Sequence, residues 1–252
     1  IGRLALSQNT TASNNTAVGY QSLYTNSTTS YNTAVGYQAG YTVNTTGYIT
    51  AVGYGAGKLF QGNASETFGS TFVGTLSSPT TSTGYDNTFI GAYSAYFNTT
   101  GTKNSALGSG SLQNNTTGSY NTAIGEEALN KNTTAANNTA VGYQSSYTNT
   151  TGANNTSVGY WSLKTATSSN NTAIGFQALR DSTTGYGTAV GTSALALNTT
   201  GVSNSAVGFN ALVLNTTGNY NSALGEDALR NNTTASNNTA VGYQAGYSGT
   251  TA

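Results

Sequence analysis

From Asn15-Thr16-Ala17-Val18-Gly19 to Asn238-Thr239-Ala240-Val241-Gly242, the chain repeats one short phrase: a threonine or serine, a small residue and a branched or long apolar residue, set between asparagine and glycine. Apolar, small and polar positions alternate within it at period 2, the signature of a β-strand, and Val and Ile suit a pleated backbone. The alternation predicts that Thr16 and Val18 face one way and Ala17 the other, copy after copy. Hydrophobicity points to the Thr–Val side as the core. The opposite stripe (Ala17, Ala34, Ala51, Ala123, Ala140), with glycine beside it, then reads as the face on which a partner backbone packs closely.

Aligned on the glycine after Val, Ile or Leu, the copies fall at Gly2, Gly19, Gly36, Gly53, Gly74, Gly91, Gly108, Gly125, Gly142, Gly159, Gly175, Gly191, Gly208, Gly225 and Gly242. The step is 17 residues except for one of 21 and two of 16, which makes fifteen units. The consensus is N-[TS]-A-[VIL]-G-Y-Q-[AS]-L, followed by N-T-T-[GA]. A longer duplication lies above it, because residues 1–21 return at 124–144 and at 224–244. A two-helix repeat needs about 33 residues or more; 17 residues match one coil of a β-solenoid, with N-T-T-G supplying the return turn. The fold class expected is all-β, a parallel β-solenoid or β-roll of about fifteen coils, forming a single array over residues 1–252.

Stacked coils place like residues above like at about 4.8 Å. Asn15, Asn32, Asn87, Asn104, Asn121, Asn138, Asn155, Asn171, Asn204, Asn221 and Asn238 form one such file, whose amides are expected to hydrogen-bond from rung to rung. Tyr20, Tyr37, Tyr54, Tyr143, Tyr160, Phe176, Phe209 and Tyr243 form an aromatic file, where ring stacking adds to the area buried. Gly19, Gly36, Gly142 and Gly242 stand where a positive φ or close backbone approach is needed. One Val, Ile or Leu, one further Leu and one ring per coil make a thin core, so association with further copies is expected to complete it.

The head N-[TS]-A-[VI]-G resembles the N-S-V-A-I-G head repeat of trimeric autotransporter adhesins, and the longer NTAVGYQAL…NTTG resembles repeat arrays of bacterial and phage tail-fibre-type proteins. The likeness spans essentially all fifteen units. It implies a left-handed parallel β-roll in which three chains share one axis, hence a homotrimer. The adhesin repeat is nearer 14 residues, and no anchor, stalk or chaperone segment is read within these residues, so membrane anchoring and self-cleavage are not carried over.

Composition narrows the function. Only 6% of residues are charged and the formal net charge is zero, which argues against nucleic acid, whose binding rests on Lys and Arg at phosphates. No apolar run approaches the ~18 residues of a membrane-spanning helix. The chain has no histidine and no cysteine, and no serine stands beside a candidate base, so neither an enzyme, a cofactor nor a metal site is expected. Glu126-Glu127 and Glu226-Asp227 replace Tyr-Gln in two equivalent coils; with Lys131 and Arg230 following, they read as solvated charge rather than a Ca²⁺ site.

The repeat breaks between residues 55 and 97. Four residues are added there, Phe72 and Phe89 replace the strand alanine, Thr75 and Ala92 replace the aromatic, and the single proline, Pro79, falls between them. This segment reads as an irregular joint, with Phe72 and Phe89 as candidate ligand contacts. Trp161 and Tyr93, which stand where the consensus has Gln, are candidates for stacking on a sugar ring. The function expected is a structural fibre segment, shaft or head, of an extracellular adhesin or virion tail fibre. Fifteen coils give a rod on the order of 70 Å, attached multivalently to a cell-surface glycan or protein receptor. Two alternatives use the same repeat: an ice-binding solenoid built on the threonine file, and a self-polymerising surface filament.

Overall fold

The computed structural model describes residues 1–44, 47–62 and 69–248; part of the added segment in the expected joint (63–68) lies outside them. The chain divides into two compact units, Ile1–Glu127 with Asn132–Thr134, and Ala128–Lys131 with Ala135–Ala252. Each is a parallel β-solenoid, and no helix occurs among the described residues.

The first unit holds β1 (Thr16–Val18), β2 (Thr33–Val35), β3 (Thr50–Val52), β4 (Thr71–Val73), β5 (Thr88–Ile90), β6 (Ser105–Leu107) and β7 (Thr122–Ile124). The second holds β8 (Thr139–Val141), β9 (Thr156–Val158), β10 (Thr172–Ile174), β11 (Thr188–Val190), β12 (Ser205–Val207), β13 (Ser222–Leu224) and β14 (Thr239–Val241). Within a unit each strand pairs in parallel with the next, position for position: Thr16↔Thr33, Ala17↔Ala34 and Val18↔Val35 in the first, Ser205↔Ser222, Ala206↔Ala223 and Val207↔Leu224 in the second. The fourteen strands match the copies from Gly19 to Gly242; the copy at Gly2 contributes none.

The alternation is as expected, but its sense is reversed. Every strand buries its central residue and turns both neighbours outward. Ala34, Ala106, Ala206 and their equivalents are therefore inside the coil, and the Thr–Val side is not the core. The physical reason is width. The wall opposite each strand carries the leucines, among them Leu23, Leu112, Leu163 and Leu212, all fully buried, and they leave room for little more than a methyl group across the lumen. The irregular coils show the same rule by exchange. Where the strand carries Phe72 or Phe89, the leucine position of the same coil holds Ser78 or Ala95; in the coil before, it holds Gly57, where an added Cβ would lie 2.5 Å from Phe72 Cδ2. Phe60, Phe72 and Phe89 form the local core, with ring centroids 5.4 and 6.0 Å apart.

Two files of buried asparagine line the rest of the interior. In the expected file, Asn104 Oδ1 accepts from the Asn121 backbone N–H at 2.9 Å, while Asn104 Nδ2 donates to the Gly118 carbonyl at 2.9 Å. The second file is the first residue of N-T-T, which the sequence reading treated only as a turn. Asn115 Nδ2 donates to Asn98 Oδ1 at 2.7 Å and to Gly118 O at 2.9 Å. Asn215 repeats this with Asn198 Oδ1 at 2.8 Å and Gly218 O at 3.0 Å. Backbone groups are satisfied in both directions along the stack: Gly208 N–H donates to Val190 O of the preceding coil and Leu212 N–H to Ala228 O of the following one.

The chain is forced through unusual dihedrals to close so small a coil. In the coil of Gly208, Asn210 and Leu212 both sit at φ 52°, a region that costs an L-residue roughly 1–2 kcal/mol. Gly208 itself has φ 139°, and a Cβ there would stand 2.4 Å from Gly225 O. Gly208→Ala is therefore expected to cost about 3 kcal/mol or more, from forbidden dihedrals and backbone overlap together. Asn210→Gly, two residues away, should stay within about 1 kcal/mol. Urea denaturation of the two variants checks the contrast.

Candidate interaction surface

The outward side of each strand extends beyond the strand itself. In the second coil of the first unit, Tyr31, Thr33, Val35 and Tyr37 all face out, while Asn32 and Ala34 between them are buried. Tyr31 is 57% exposed and Val35 37%. The next rung repeats the pattern as Tyr48, Thr50, Val52 and Tyr54. The rings stack between rungs: Tyr31 on Tyr48 at 5.5 Å and 2°, Tyr20 on Tyr37 at 5.3 Å, Tyr37 on Tyr54 at 5.1 Å. In the second unit Tyr143, Tyr160 and Phe176 stack at 5.2 and 5.5 Å, as the aromatic file predicts, and Tyr186 and Tyr220 stand exposed on the other rim.

Each unit thus presents a grid with a threonine or serine file beside a Val/Ile/Leu file; aromatic rings stand at some positions of each edge, and on the Tyr31 edge they alternate with polar residues such as Asp86, Lys103, Asn137, Asn154 and Asn170. A rung about 20 Å wide and rungs about 4.8 Å apart give roughly 100 Å² per rung, or about 700 Å² over seven rungs. This is the footprint of the whole face, hydroxyl file included; its apolar share is the Val/Ile/Leu file and the rings. The edges are uneven: Thr75, Ala92, Ser109 and Glu126 in the first unit, and Thr192 and Glu226 in the second, stand where other coils have a ring.

The candidate ligand contacts separate on burial. Phe72 and Phe89 are fully buried inside the coil; they are core, and as ligand contacts they are corrected here. Tyr93 is exposed, its ring 5.8 Å from Tyr96, which meets Phe97 edge-on at 4.7 Å. Trp161 is half-buried: its indole N–H donates to Gln144 Oε1 at 2.9 Å, Lys164 Nζ stands 3.8 Å above the ring, and Tyr160 lies 4.7 Å away. One ring face is thereby taken by a cation, which narrows the room for stacking on a sugar.

Charged groups are few and locally engaged. Arg230 pairs with Asp227 at 3.2 Å and donates to Tyr247 Oη at 2.8 Å. Arg180 pairs with Asp181 at 2.6 Å, and its pKa is raised chiefly by the hydrogen bond to that carboxylate. Lys103, beside Tyr120, is held above its ordinary pKa chiefly by charge interaction with the phenol. Among the described residues no group of three or more His, Cys, Asp or Glu is gathered, and no helix is long and apolar enough to cross a membrane.

Two features escaped the sequence reading: the buried N-T-T asparagines and the rim formed by Tyr31, Tyr48, Tyr120, Tyr186 and Tyr220. Both recur at fixed offsets from the repeat glycine, so the signal was present in the alignment itself. Comparison with protein families, curated proteins and solved structures returns no match for the chain.

The assignment of faces is testable at one strand. Ala206→Leu adds volume to a closed lumen and is expected to cost about 1–3 kcal/mol. Val207→Leu, which copies the residue at Leu224, should change stability by less than about 0.5 kcal/mol. Urea midpoints for the pair check this; equal losses would mean that the faces are assigned wrongly.

Proposed function

We propose that this chain is a structural fibre segment, the shaft or head of an extracellular adhesin or tail-fibre-type protein. Copies of it pack through the outward Thr–Val face and display the remaining surface several times over. The observation that carries this reading is the in-register outward face of each unit, a Thr/Ser file beside a Val/Ile/Leu file with stacked rings over part of its edges. A surface repeating at about 4.8 Å is matched in period by few partners, and a second copy of the same coil matches it automatically. About 700 Å² per unit is close to the ~800 Å² that each partner contributes to a standard interface, and zero net charge sets up no general repulsion between copies.

The interface moves with the fold. The Ala stripe lies within its own coil, so the Thr–Val face takes the role first given to Ala and Gly. The threefold number rests on the resemblance to adhesin head repeats. Three copies would present each outer feature, Trp161 and the Tyr93–Tyr96–Phe97 cluster among them, three times to a cell-surface glycan or protein receptor, raising avidity without new contacts. No catalysis, nucleic acid, cofactor or membrane insertion belongs to this reading.

The outward threonine file also favours a second reading. Threonine and valine files about 6.7 Å apart on rungs about 4.8 Å apart form a rigid grid able to order water, as an ice-binding face requires. Light scattering coupled to size exclusion tests both. The chain is expected at roughly 77 kDa, three times 25.6 kDa. Val158→Lys with Val190→Lys, which would bury unpaired charge in the interface, is expected at the single-chain mass. A monomeric wild type with thermal hysteresis in dilute solution would replace the fibre reading with ice binding, and a mass growing with concentration would favour a surface filament.

A further inference from the structure

The second asparagine file has a chemical consequence independent of how copies assemble. Asn26, Asn98, Asn115 and Asn132 in the first unit, and Asn149, Asn198, Asn215 and Asn232 in the second, each begin an N-x-[ST] triplet, the acceptor for N-linked glycan. All eight are at most 2% exposed. N-linked transfer joins Asn Nδ2 to the anomeric carbon of an activated sugar. The phosphate carrier leaves, and one amide hydrogen is lost as a proton, so a nitrogen with two N–H donors becomes one with a single donor and a bulky substituent.

The interior accepts neither change. Asn215 uses both hydrogens, on Asn198 Oδ1 and Gly218 O. Asn232 uses both, on Asn215 Oδ1 at 2.9 Å and Ala235 O at 3.1 Å. Loss of one donor removes a buried hydrogen bond to the neighbouring amide oxygen or to the turn carbonyl, which keeps a second donor from the other file (Asn204 Nδ2 on Gly218 O, Asn221 Nδ2 on Ala235 O). The sugar would also have to enter a lumen that accommodates an alanine. The third residue of each triplet, such as Thr117 or Thr217, is exposed, so the acceptor sequence is intact while its nitrogen is sealed. By contrast Asn14, Asn137, Asn154, Asn170 and Asn237, which begin N-N-T triplets, are exposed on the rim of the outward face.

We infer that N-linked glycan at these eight buried asparagines and this fold are mutually exclusive, and that the chain reaches its site by a route in which unfolded polypeptide meets no N-linked glycosyl transfer. Unfolded chain offers all of these acceptors at once, so transfer ahead of folding would trap it. The folded chain offers the exposed N-N-T set, together with Asn9 and Asn44, which begin N-T-T triplets but are exposed.

Co-expression of the whole chain in a bacterial cytoplasm with a soluble N-glucosyltransferase, which uses UDP-glucose, tests this. Peptide mapping of the protease-resistant fraction is expected to find glucose at Asn137, Asn154 or Asn170 and none at Asn115, Asn215 or Asn232. Chains glucosylated at the latter sites should be confined to the protease-sensitive fraction. Gly208→Ala chains that protease finds open in the second unit should gain glucose at Asn215 and Asn232. Glucose on Asn115, Asn215 or Asn232 in resistant chains would overturn the inference. So would an Asn215 that stays unmodified in Gly208→Ala chains shown by protease to be open there, because the local sequence and not the fold would then be what refuses the sugar.

Discussion

Within each unit, an interior coil is held by hydrogen bonds to the coil before and the coil after it, at one fixed spacing, and most features of the structure follow from that register. Backbone groups alternate in the direction they bond, so each coil needs both neighbours. The approach is close enough that the repeat glycines lie under the carbonyl of the next coil, with no space for a Cβ. A coil this tight has a lumen only wide enough for leucine from one wall and alanine from the other. Asparagine occupies the remaining interior because its amide carries two donors and an acceptor, which allows it to bond to the turn carbonyl and to the rungs on either side. The interior is therefore sealed by polar ladders as much as by apolar contact.

Much of this was legible in the sequence. The 17-residue period specifies the coil, the N-T-A-V-G phrase marks the strands, and the glycine positions, the first asparagine file and the stacked tyrosines follow from placing like above like. The sense of the alternation was not legible from the strand alone. Period 2 shows that Thr33 and Val35 oppose Ala34, and hydrophobicity argues for valine inside. Steric width decides otherwise, and it depends on Leu23 and its equivalents across the coil. The clue lay in the exchange at residues 55–97, where phenylalanine enters the strand in the two coils whose leucine position holds Ser78 and Ala95, next to the coil of Gly57. The N-T-T asparagines were missed for a related reason: turn chemistry explained them locally, and only the stacked coils show their amides bonding to one another.

The reversal matters for function because it moves a grid of paired hydroxyl and apolar files to the surface. On the proposed reading that grid is where copies meet, and the turns on the other sides are left to face a receptor. The rival reading uses the same threonine file against ordered water. The two differ in what covers Val35, Leu107 or Val207: another chain or solvent. The uneven edges bear on the first reading, since aromatic, small and acidic rim positions in a definite order give a copy more than the 4.8 Å period by which to find its register.

The chain contains no cysteine, so single introduced thiols report unambiguously on which residues of a strand face outward toward a second copy. Val207→Cys and Ala206→Cys, each treated with a short bismaleimide at native conditions, form the most direct comparison. Covalent joining of chains through Val207→Cys, with Ala206→Cys unreactive until the protein is unfolded, is the result that a closed lumen and an outward self-packing face require. Joining through Ala206→Cys, with Val207→Cys silent, would contradict both.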